Sequence, residues 1–285
     1  MATWCSTSSL TAEQRLEVLD LFNRTESELG REAIDEGRRR TVVHRGIGEH
    51  WLDLDGDRVR RYALLTPGEP ASVEMCGGGV DERLLEAILT RHETVDWWTR
   101  GDADTTAGTV VRTLQLLRVT LPVRVEHAPI APGVIRTFDP ERDSLSWLAQ
   151  NNAAFADHPE QGAWTERQLD ERLSEPWFDP SGFFLLEIDG RLAASCWTKV
   201  HELHPDRFGE IYVIAVHPDF RGRGLGRMMV LHGLDAIRRK GVSSATLFVD
   251  ESNVAARGLY ESLGFTLERE DCLVRFSALD TPLKR

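Results

Sequence analysis

Apolar residues in the second half of the chain alternate between helical and strand periodicity. Thr165 with Gln168 three residues later has the spacing of a capping box at the start of a helix. Asp189-Gly190 lies between two apolar runs, which is typical of a β-hairpin turn. In chain order the pattern predicts helices over 144–156 and 166–174, hairpin strands over 183–188 and 192–200, and a β-branched strand over 211–216.

A longer amphipathic segment follows this strand. Its apolar positions recur at helical spacing from Leu225 to Ile237, and the cations 238–240 precede Gly241, a typical helix end. The pattern therefore predicts a helix over 225–240, and a strand over 245–249 follows it. Asn253 is then suited to cap another helix, which Gly264 would end before a last strand.

The loop between the predicted strand 211–216 and the predicted helix 225–240 is rich in glycine and arginine. Glycines lack a Cβ, so backbone there can approach an anion closely, and the first N–H groups of the next helix have no intrahelical partner. The arginines add positive charge. Phosphate or pyrophosphate binding is therefore one interpretation of this loop, and a solvated basic turn is the other. The residues concerned are Arg221, Gly222, Arg223, Gly224, Gly226 and Arg227.

Two common phosphate-loop motifs do not fit. No lysine follows the glycines as the Walker motif requires, and the spacing is not that of the dinucleotide fingerprint. The spacing Arg221-x-x-Gly224-x-Gly226 instead resembles the acetyl-CoA loop of the GNAT N-acetyltransferases, and the segment 253–265 resembles that family's second signature. The resemblance implies that the preceding strand splays from its neighbour and that its backbone binds the pantetheine arm and the thioester.

The chain of 285 residues is long enough for two domains. A proline-rich stretch over 121–133 predicts the boundary, giving domains 1–128 and 133–285. The fold class expected from the resemblance is α/β with a mixed sheet, in two tandem GNAT domains of which the second is catalytic.

The first half repeats this order of elements weakly. Three glycines at 77–79 occupy the place of the phosphate loop, but the arginines are absent. We therefore expect a degenerate GNAT domain that binds coenzyme poorly or not at all, with an unrelated α+β domain as the alternative. The pattern predicts helices over 12–22, 28–39, 84–91 and 110–117, and strands over 62–65 and 119–125.

Composition adds expectations about compartment and partners. The four cysteines are scattered without metal-binding spacing, and no signal peptide or membrane-length apolar run stands out, so we expect a cytoplasmic protein without a metal. The net charge of −12 argues against nucleic-acid binding. We expect a monomer whose partners are small molecules.

Several segments of residues 134–276 resemble a narrower family, the mycothiol synthases of actinobacteria. They include Trp197-Thr198-Lys199-Val200-His201 and Gly209-Glu210-Ile211-Tyr212-Val213. The resemblance implies transfer of acetyl from acetyl-CoA to the cysteinyl amine of Cys-GlcN-Ins. The alternatives are an acetyltransferase for another amine, such as a protein N-terminus or an aminoglycoside, and a non-catalytic acetyl-CoA sensor.

The same resemblance implies a set of site residues. Acetyl-CoA is expected to contact Ile214, Ala215, Val216, Arg221, Gly222, Arg223, Gly224, Leu225, Gly226, Arg227, Asn253, Val254, Ala255, Ala256, Arg257 and Gly258. The acceptor is expected to contact Glu36, Glu160, Lys199, Glu210 and Phe248. Phe248 departs from the family, which usually has a tyrosine there, so one hydroxyl contact is lost.

Amine acetylation needs a base for the amine proton and an acid for the leaving thiolate. Glu210, at the start of the central strand, is the candidate base, and a surface carboxylate is the alternative interpretation. Tyr260 is the candidate acid, with an aromatic anchor of its helix as the alternative. We expect direct transfer, since no cysteine lies beside a basic histidine motif.

Overall fold

The computed structural model describes residues 4–44, 46–101, 108–124, 132–158, 161–202 and 207–279. By its contacts the chain divides into two compact units, neither of which is one continuous stretch. Unit 1 comprises Met1–Gln115, Asp250–Ser252 and Arg269–Arg285, and unit 2 comprises Leu116–Val249 and Asn253–Glu268.

The described part of the chain contains α-helices, β-strands and two short 3-10 helices. The strands are β1 Trp4–Thr7, β2 Glu49–Asp55, β3 Arg58–Thr66, β4 Ala71–Met75, β5 Thr94–Arg100, β6 Thr109–Thr120, β7 Val134–Thr137, β8 Phe183–Ile188, β9 Arg191–His201, β10 Phe208–Val216, β11 Ser244–Asp250 and β12 Thr266–Ser277. The α-helices are α1 Ala12–Leu29, α2 Glu36–His44, α3 Glu82–Leu89, α4 Pro140–Ala154, α5 Glu166–Leu173, α6 Leu225–Arg239 and α7 Val254–Glu261. The 3-10 helices are Pro180–Gly182 and Pro218–Phe220.

Unit 1 is built on strands in the order β1-β2-β3-β4-β5-β12. The last strand comes from the C-terminal end of the chain and pairs antiparallel with β5 from Asp271 to Ser277. Its Val274 and Phe276 are buried in the same apolar cluster as Trp97 of β5. The predicted division at residues 128–133 would assign all of β12 to the second domain, whereas the contacts of its larger part lie in unit 1.

Several predictions in the first half are wrong. The predicted helix over 110–117 is part of β6, where the β-branched residues at 109–111 favour extended backbone. The predicted helices over 12–22 and 28–39 divide differently: α1 continues to Leu29, Gly30 ends it at φ 62°, and α2 begins only at Glu36. The strand predicted over 119–125 is only the end of β6, which stops at Thr120, and the sequence pattern missed β1, β2, β4 and β5.

The predicted elements of the second half are confirmed in unit 2, with ends that differ by a few residues. Thr165 and Gln168 form the capping box of α5. The turn residues Asp189 and Gly190 have φ of 51° and 73°, as a tight hairpin of right-handed twist requires, and Ile188 pairs with Arg191 across them.

In unit 2 the strand order is β6-β11-β10-β9-β8-β7. Helix α6 packs closely against β10, since a Cβ added at Gly209 would lie 2.2 Å from Cγ2 of Ile237. Ile211 is buried in the same cluster as α6. Because side chains alternate along a strand, Glu210 between them points to the opposite face of the sheet.

Each unit contains two parallel strands joined by a helix. In unit 1 these are β4, α3 and β5, and in unit 2 they are β10, α6 and β11. The loops differ: in unit 1 the N–H groups of Gly77 and Gly78 donate to the carbonyls of Ala33 and Met75, and the Asp81 carboxylate caps α3. An anion would therefore meet a carboxylate at the start of α3. None of the helices in the described ranges is both long and apolar enough to cross a membrane.

Candidate active site

The central feature of unit 2 is an opening between two parallel strands. β10 pairs with β11 only at Gly209 and Glu210, whereas its pairing with β9 continues to Val216. Both strands lie wholly within the described residues, so the backbone from Ile211 onwards has no register partner on β11. Among Ile214, Ala215 and Val216, the N–H and C=O groups that face away from β9 are therefore suited to bind an extended ligand arm.

The loop that follows β10 leads directly into the N-terminus of α6. Gly222 and Gly224 have φ of 76° and 74°, which side chains other than glycine rarely adopt. Gly224 is the residue before α6, and no side chain caps the helix there. The first N–H groups of α6, including those of Leu225 and Gly226, therefore keep their capacity to bind an anion.

The three arginines of this loop lie around that helix start. Arg221 donates to the carbonyl of Ala154 at 2.8 Å, and Arg223 lies over the ring of Phe220 with Cζ 5.0 Å from its centre. Both are exposed. The Arg227 guanidinium donates to Ser262 Oγ at 2.7 Å, which joins the start of α6 to the end of α7.

Helix α7 carries the second predicted coenzyme segment. Asn253 caps it, because its Oδ1 accepts the N–H of Ala256 at 3.1 Å. Val254 is 73 % exposed, and a Cβ added at Gly258 would have no neighbour within 4 Å. Arg257 lies 3.8 Å from Glu261 on the same helix. The segment thus presents small and exposed groups, Ala255 among them, to the side of the helix that is open to solvent.

Tyr260 lies two residues before Ser262 and is buried against Phe265. Burial raises the pKa of its hydroxyl, with a smaller contribution from the neighbouring Cys196 thiol. No described residue forms a hydrogen bond with this hydroxyl. The hydroxyl therefore stays protonated at neutral pH, and its hydrogen-bonding capacity is available.

Glu210 lies at the last paired position before the opening and is 9 % exposed. Burial acts to raise the pKa of its carboxyl, but the hydrogen bond from His201 and the charges of His201 and Lys199 outweigh burial, and the pKa is lowered. The distance from His201 Nε2 to Glu210 Oε2 is 2.7 Å. Because an ionised carboxylate can only accept, the imidazole donates here.

Lys199 is the direct register partner of Glu210 on β9. Its ammonium group lies 4.7 Å from the ring centre of Trp177 and 5.7 Å from that of Tyr212, which are cation–π distances. The structure therefore brings two of the predicted acceptor-binding residues, Glu210 and Lys199, side by side on one face of the sheet.

The remaining predicted acceptor contacts are placed differently. Phe248 on β11 is 40 % exposed and follows Thr246, the partner of Glu210, by two residues, so it lies on the same face. Glu160 lies outside the described residues, although the adjoining Gln161 carbonyl accepts from Asn151 at 3.2 Å. Glu36 belongs to unit 1, where it begins α2 and lies 3.3 Å from Arg40.

Sequence reasoning missed His201 and Trp177 as parts of this arrangement. His201 follows Lys199 by two residues on β9, so strand alternation alone places both on one face. Its approach to Glu210 depends on the pairing of Phe208 with His201, which the sequence pattern does not give.

Comparisons with known proteins agree with this geometry. Residues 147–265 match the model of the acetyltransferase (GNAT) family. A mycothiol acetyltransferase of Thermobispora bispora is 45 % identical over 79 % of this chain and 82 % of its own length. One of Streptomyces coelicolor is 38 % identical over 94 % of this chain and 93 % of its own.

The chain belongs to the mycothiol acetyltransferase family. It is therefore an acetyl-CoA-dependent N-acetyltransferase. The family resemblance expected from the loop 221–227 and the segment 253–265 is confirmed.

Solved structures confirm the fold. A GCN5-related N-acetyltransferase from Sphaerobacter thermophilus has a TM-score of 0.62 at 19 % identity and covers 98 % of this chain and 96 % of its own. A tandem GNAT protein from the clavulanic acid biosynthesis pathway has a TM-score of 0.63 at 14 % identity, covering 98 % of this chain and 99 % of its own. The expected mixed α/β class with tandem GNAT-like folds is thus confirmed.

Acetyl-CoA, which this family uses, fits the features of unit 2. Its pyrophosphate is matched by the uncapped start of α6 and the arginines around it, and its extended arm is matched by the unpaired edge of β10.

Proposed function

We propose that this protein transfers the acetyl group of acetyl-CoA to the cysteinyl amine of Cys-GlcN-Ins, which forms mycothiol. The relatives' shared name supports the product, and one observation supports the site: the ionised Glu210 lies beside Lys199 at the point where β10 separates from β11. This position supports Glu210 as the base that acts beside the thioester.

The chemistry we propose is direct transfer. Glu210 takes a proton from the protonated amine, and the freed lone pair of nitrogen attacks the thioester carbon. A C–N bond forms and the C–S bond breaks as the tetrahedral intermediate collapses. The hydroxyl of Tyr260 supplies the proton that converts the departing thiolate to the thiol. The proton left on nitrogen passes to the tyrosinate, and Glu210 releases the first amine proton to solvent.

We propose that the acceptor is held by charged groups around this base. Lys199, which lies against the rings of Trp177 and Tyr212, is suited to donate hydrogen bonds to the hydroxyl oxygens of a sugar or inositol. Phe248 offers an apolar face on the same side of the sheet, where a tyrosine would offer a hydroxyl as well. Glu160 and Glu36 are further proposed contacts.

A panel of amines tests the substrate. Purified protein is incubated with acetyl-CoA and, separately, Cys-GlcN-Ins, a peptide with a free N-terminus and an aminoglycoside, and products are followed by mass spectrometry. We expect one added acetyl group on Cys-GlcN-Ins at a kcat/KM far above the other amines. Efficient acetylation of another amine alone would replace the proposed substrate, and coenzyme binding without any transfer would indicate a sensor.

The Glu210→Gln variant tests the base. It keeps the size of the side chain and removes the proton acceptor, so we expect kcat to fall by ~10²-fold or more. Acetyl-CoA affinity should stay unchanged, because the loop 221–227 is not altered. A Glu210→Gln enzyme that turns over at the full rate would exclude Glu210 as the base.

A further inference from the structure

The Glu210 carboxylate and the His201 imidazole form a close pair at the edge of the β10–β11 opening. We propose that His201 is a positioning residue for Glu210. Its Nε2–H donates to Oε2, which fixes the carboxylate and leaves Oε1 to take the proton of the acceptor amine. This inference rests on the proposed role of Glu210 as base.

The imidazole itself is held in place by its surroundings. It stacks on the ring of Phe208, its direct register partner on β10, at a centroid distance of 4.3 Å and an interplanar angle of 15°. Arg118 of β6 lies over the same phenyl ring, 5.0 Å from its centre. With the ring plane fixed, Nε2 is directed at Glu210, two residues further along β10.

Besides His201, the charge that favours the ionised carboxylate is that of Lys199, which lies beside Glu210 on β9. Arg118 on β6, on the far side of Phe208, is itself paired with Glu268 at 2.5 Å. The exposed pair Glu202 and Arg207, which flanks β9 and β10, neutralises itself. Removing His201 would leave Lys199 as the main group that opposes the effect of burial on Glu210.

His201 can serve in this way without contacting the substrate. Its side chain is 18 % exposed, and it needs only one N–H, so a neutral or a protonated ring can donate. Without the hydrogen bond from His201, the Glu210 carboxylate could rotate and would accept the amine proton in poor geometry. Misplacement of a reacting group lowers the rate of the chemical step by about 10- to 100-fold. A change at His201 leaves the coenzyme loop 221–227 unaltered, so we expect kcat to fall and acetyl-CoA affinity to stay the same.

The test compares His201→Leu, which removes the donor, with His201→Gln, which keeps an N–H donor on a side chain of similar reach. In His201→Leu we expect the pKa of Glu210 to rise by about 1 or more. The acidic limb of kcat/KM should move to higher pH by the same amount, and kcat at neutral pH should fall roughly 10- to 100-fold. In His201→Gln, kcat and the Glu210 pKa should return most of the way to their wild-type values. Acetyl-CoA affinity should be equal in the wild type and the two variants.

An NMR titration separates this inference from the proposed function. Glutamate carboxyl carbons are labelled with ¹³C, and the Glu210 signal is assigned by its absence in Glu210→Gln. A raised Glu210 pKa in His201→Leu supports the positioning role even if Cys-GlcN-Ins proves not to be the acceptor. An unchanged Glu210 pKa in a folded His201→Leu protein, or equal loss of kcat in the Leu and Gln variants, would overturn it.

Discussion

At the scale of single residues, the proposed chemistry needs two groups in opposite protonation states. Burial acts on both: it would neutralise Glu210, but His201 and Lys199 overcome it and lower the pKa of the carboxyl. No cation within the described ranges lowers the pKa of Tyr260, so burial raises it. The base is therefore ionised and the acid protonated at neutral pH.

This contrast predicts the behaviour of Tyr260→Phe. The variant keeps the ring and its packing on Phe265 and removes the proton, so we expect kcat to fall by ~10²-fold with little change in acetyl-CoA affinity. The chain has three tyrosines, and Tyr62→Phe is the matched control. It removes a buried hydroxyl that is hydrogen-bonded to His50 at 2.7 Å in unit 1.

Steady-state kinetics and acetyl-CoA titration measure the turnover and coenzyme affinity of Tyr260→Phe and Tyr62→Phe. Tyr62→Phe should cost about 1 kcal/mol of unfolding free energy and keep its turnover. Were Tyr260→Phe to lose its affinity for acetyl-CoA instead of its turnover, Tyr260 would be an anchor of α7 and not an acid.

The sequence could predict Glu210 and Lys199 as site residues because each lies in a family motif. It could not predict the pair with His201. That contact depends on the register of β9 against β10, in which His201 pairs with Phe208 and Lys199 with Glu210. Register is a property of two strands together, which a pattern read along one strand does not contain.

At the scale of elements, the site depends on how one helix begins. Helix α6 follows a glycine with positive φ and has no side-chain cap, whereas Asp81 caps α3 in unit 1. An aspartate at the start of a helix satisfies its N–H groups and places negative charge there. Of these two helices, α6 therefore keeps a start that is suited to a diphosphate.

The comparison of Gly224→Ala with Gly190→Ala tests this feature. The two glycines have φ of 74° and 73°, and a Cβ at either would have no neighbour within 4 Å. Both variants should lose roughly 1–2 kcal/mol from the strain of left-handed backbone. Only Gly224→Ala should also bind acetyl-CoA about tenfold more weakly, since the strained loop no longer presents its N–H groups correctly.

Chemical denaturation and calorimetric titration of acetyl-CoA measure the two effects separately. Equal coenzyme affinity in Gly224→Ala, Gly190→Ala and the wild type would show that the loop geometry does not contribute to binding.

Elements of unit 2 were predictable because caps, turns and periodicity agree there: Thr165 and Gln168, Asp189-Gly190 and Asn253 all have the predicted roles. The error at β6 has a physical cause. Residues 110–117 place apolar side chains at both strand and helix spacing, and their extended state is decided by the strands beside them and not by local preference.

At the scale of the whole molecule, the two units are not consecutive in sequence. The C-terminal strand β12 completes the strand order of unit 1 after the chain has passed through unit 2. A pattern read along the chain gives no sign of this, because the residues 269–277 look like the last strand of the domain that precedes them.

The Phe276→Ala variant tests whether β12 stabilises unit 1. This side chain is 2 % exposed and belongs to the apolar cluster of unit 1, so its truncation should cost about 3–5 kcal/mol. Hydrogen exchange measured by mass spectrometry should then increase in β5 and α3 and much less in α6. Leu279→Ala, at a position 95 % exposed, is the control and should change exchange in neither unit. Faster exchange centred on α6 in Phe276→Ala would show that β12 belongs energetically to unit 2.

The most direct measurement for the account as a whole is a crystal structure of the protein with acetyl-CoA. We predict the pyrophosphate on the N–H groups of 222–227 at the start of α6, the pantetheine arm along the unpaired edge of β10, and the thioester between Glu210 and Tyr260. Coenzyme bound elsewhere, or a thioester out of reach of Glu210, would contradict it.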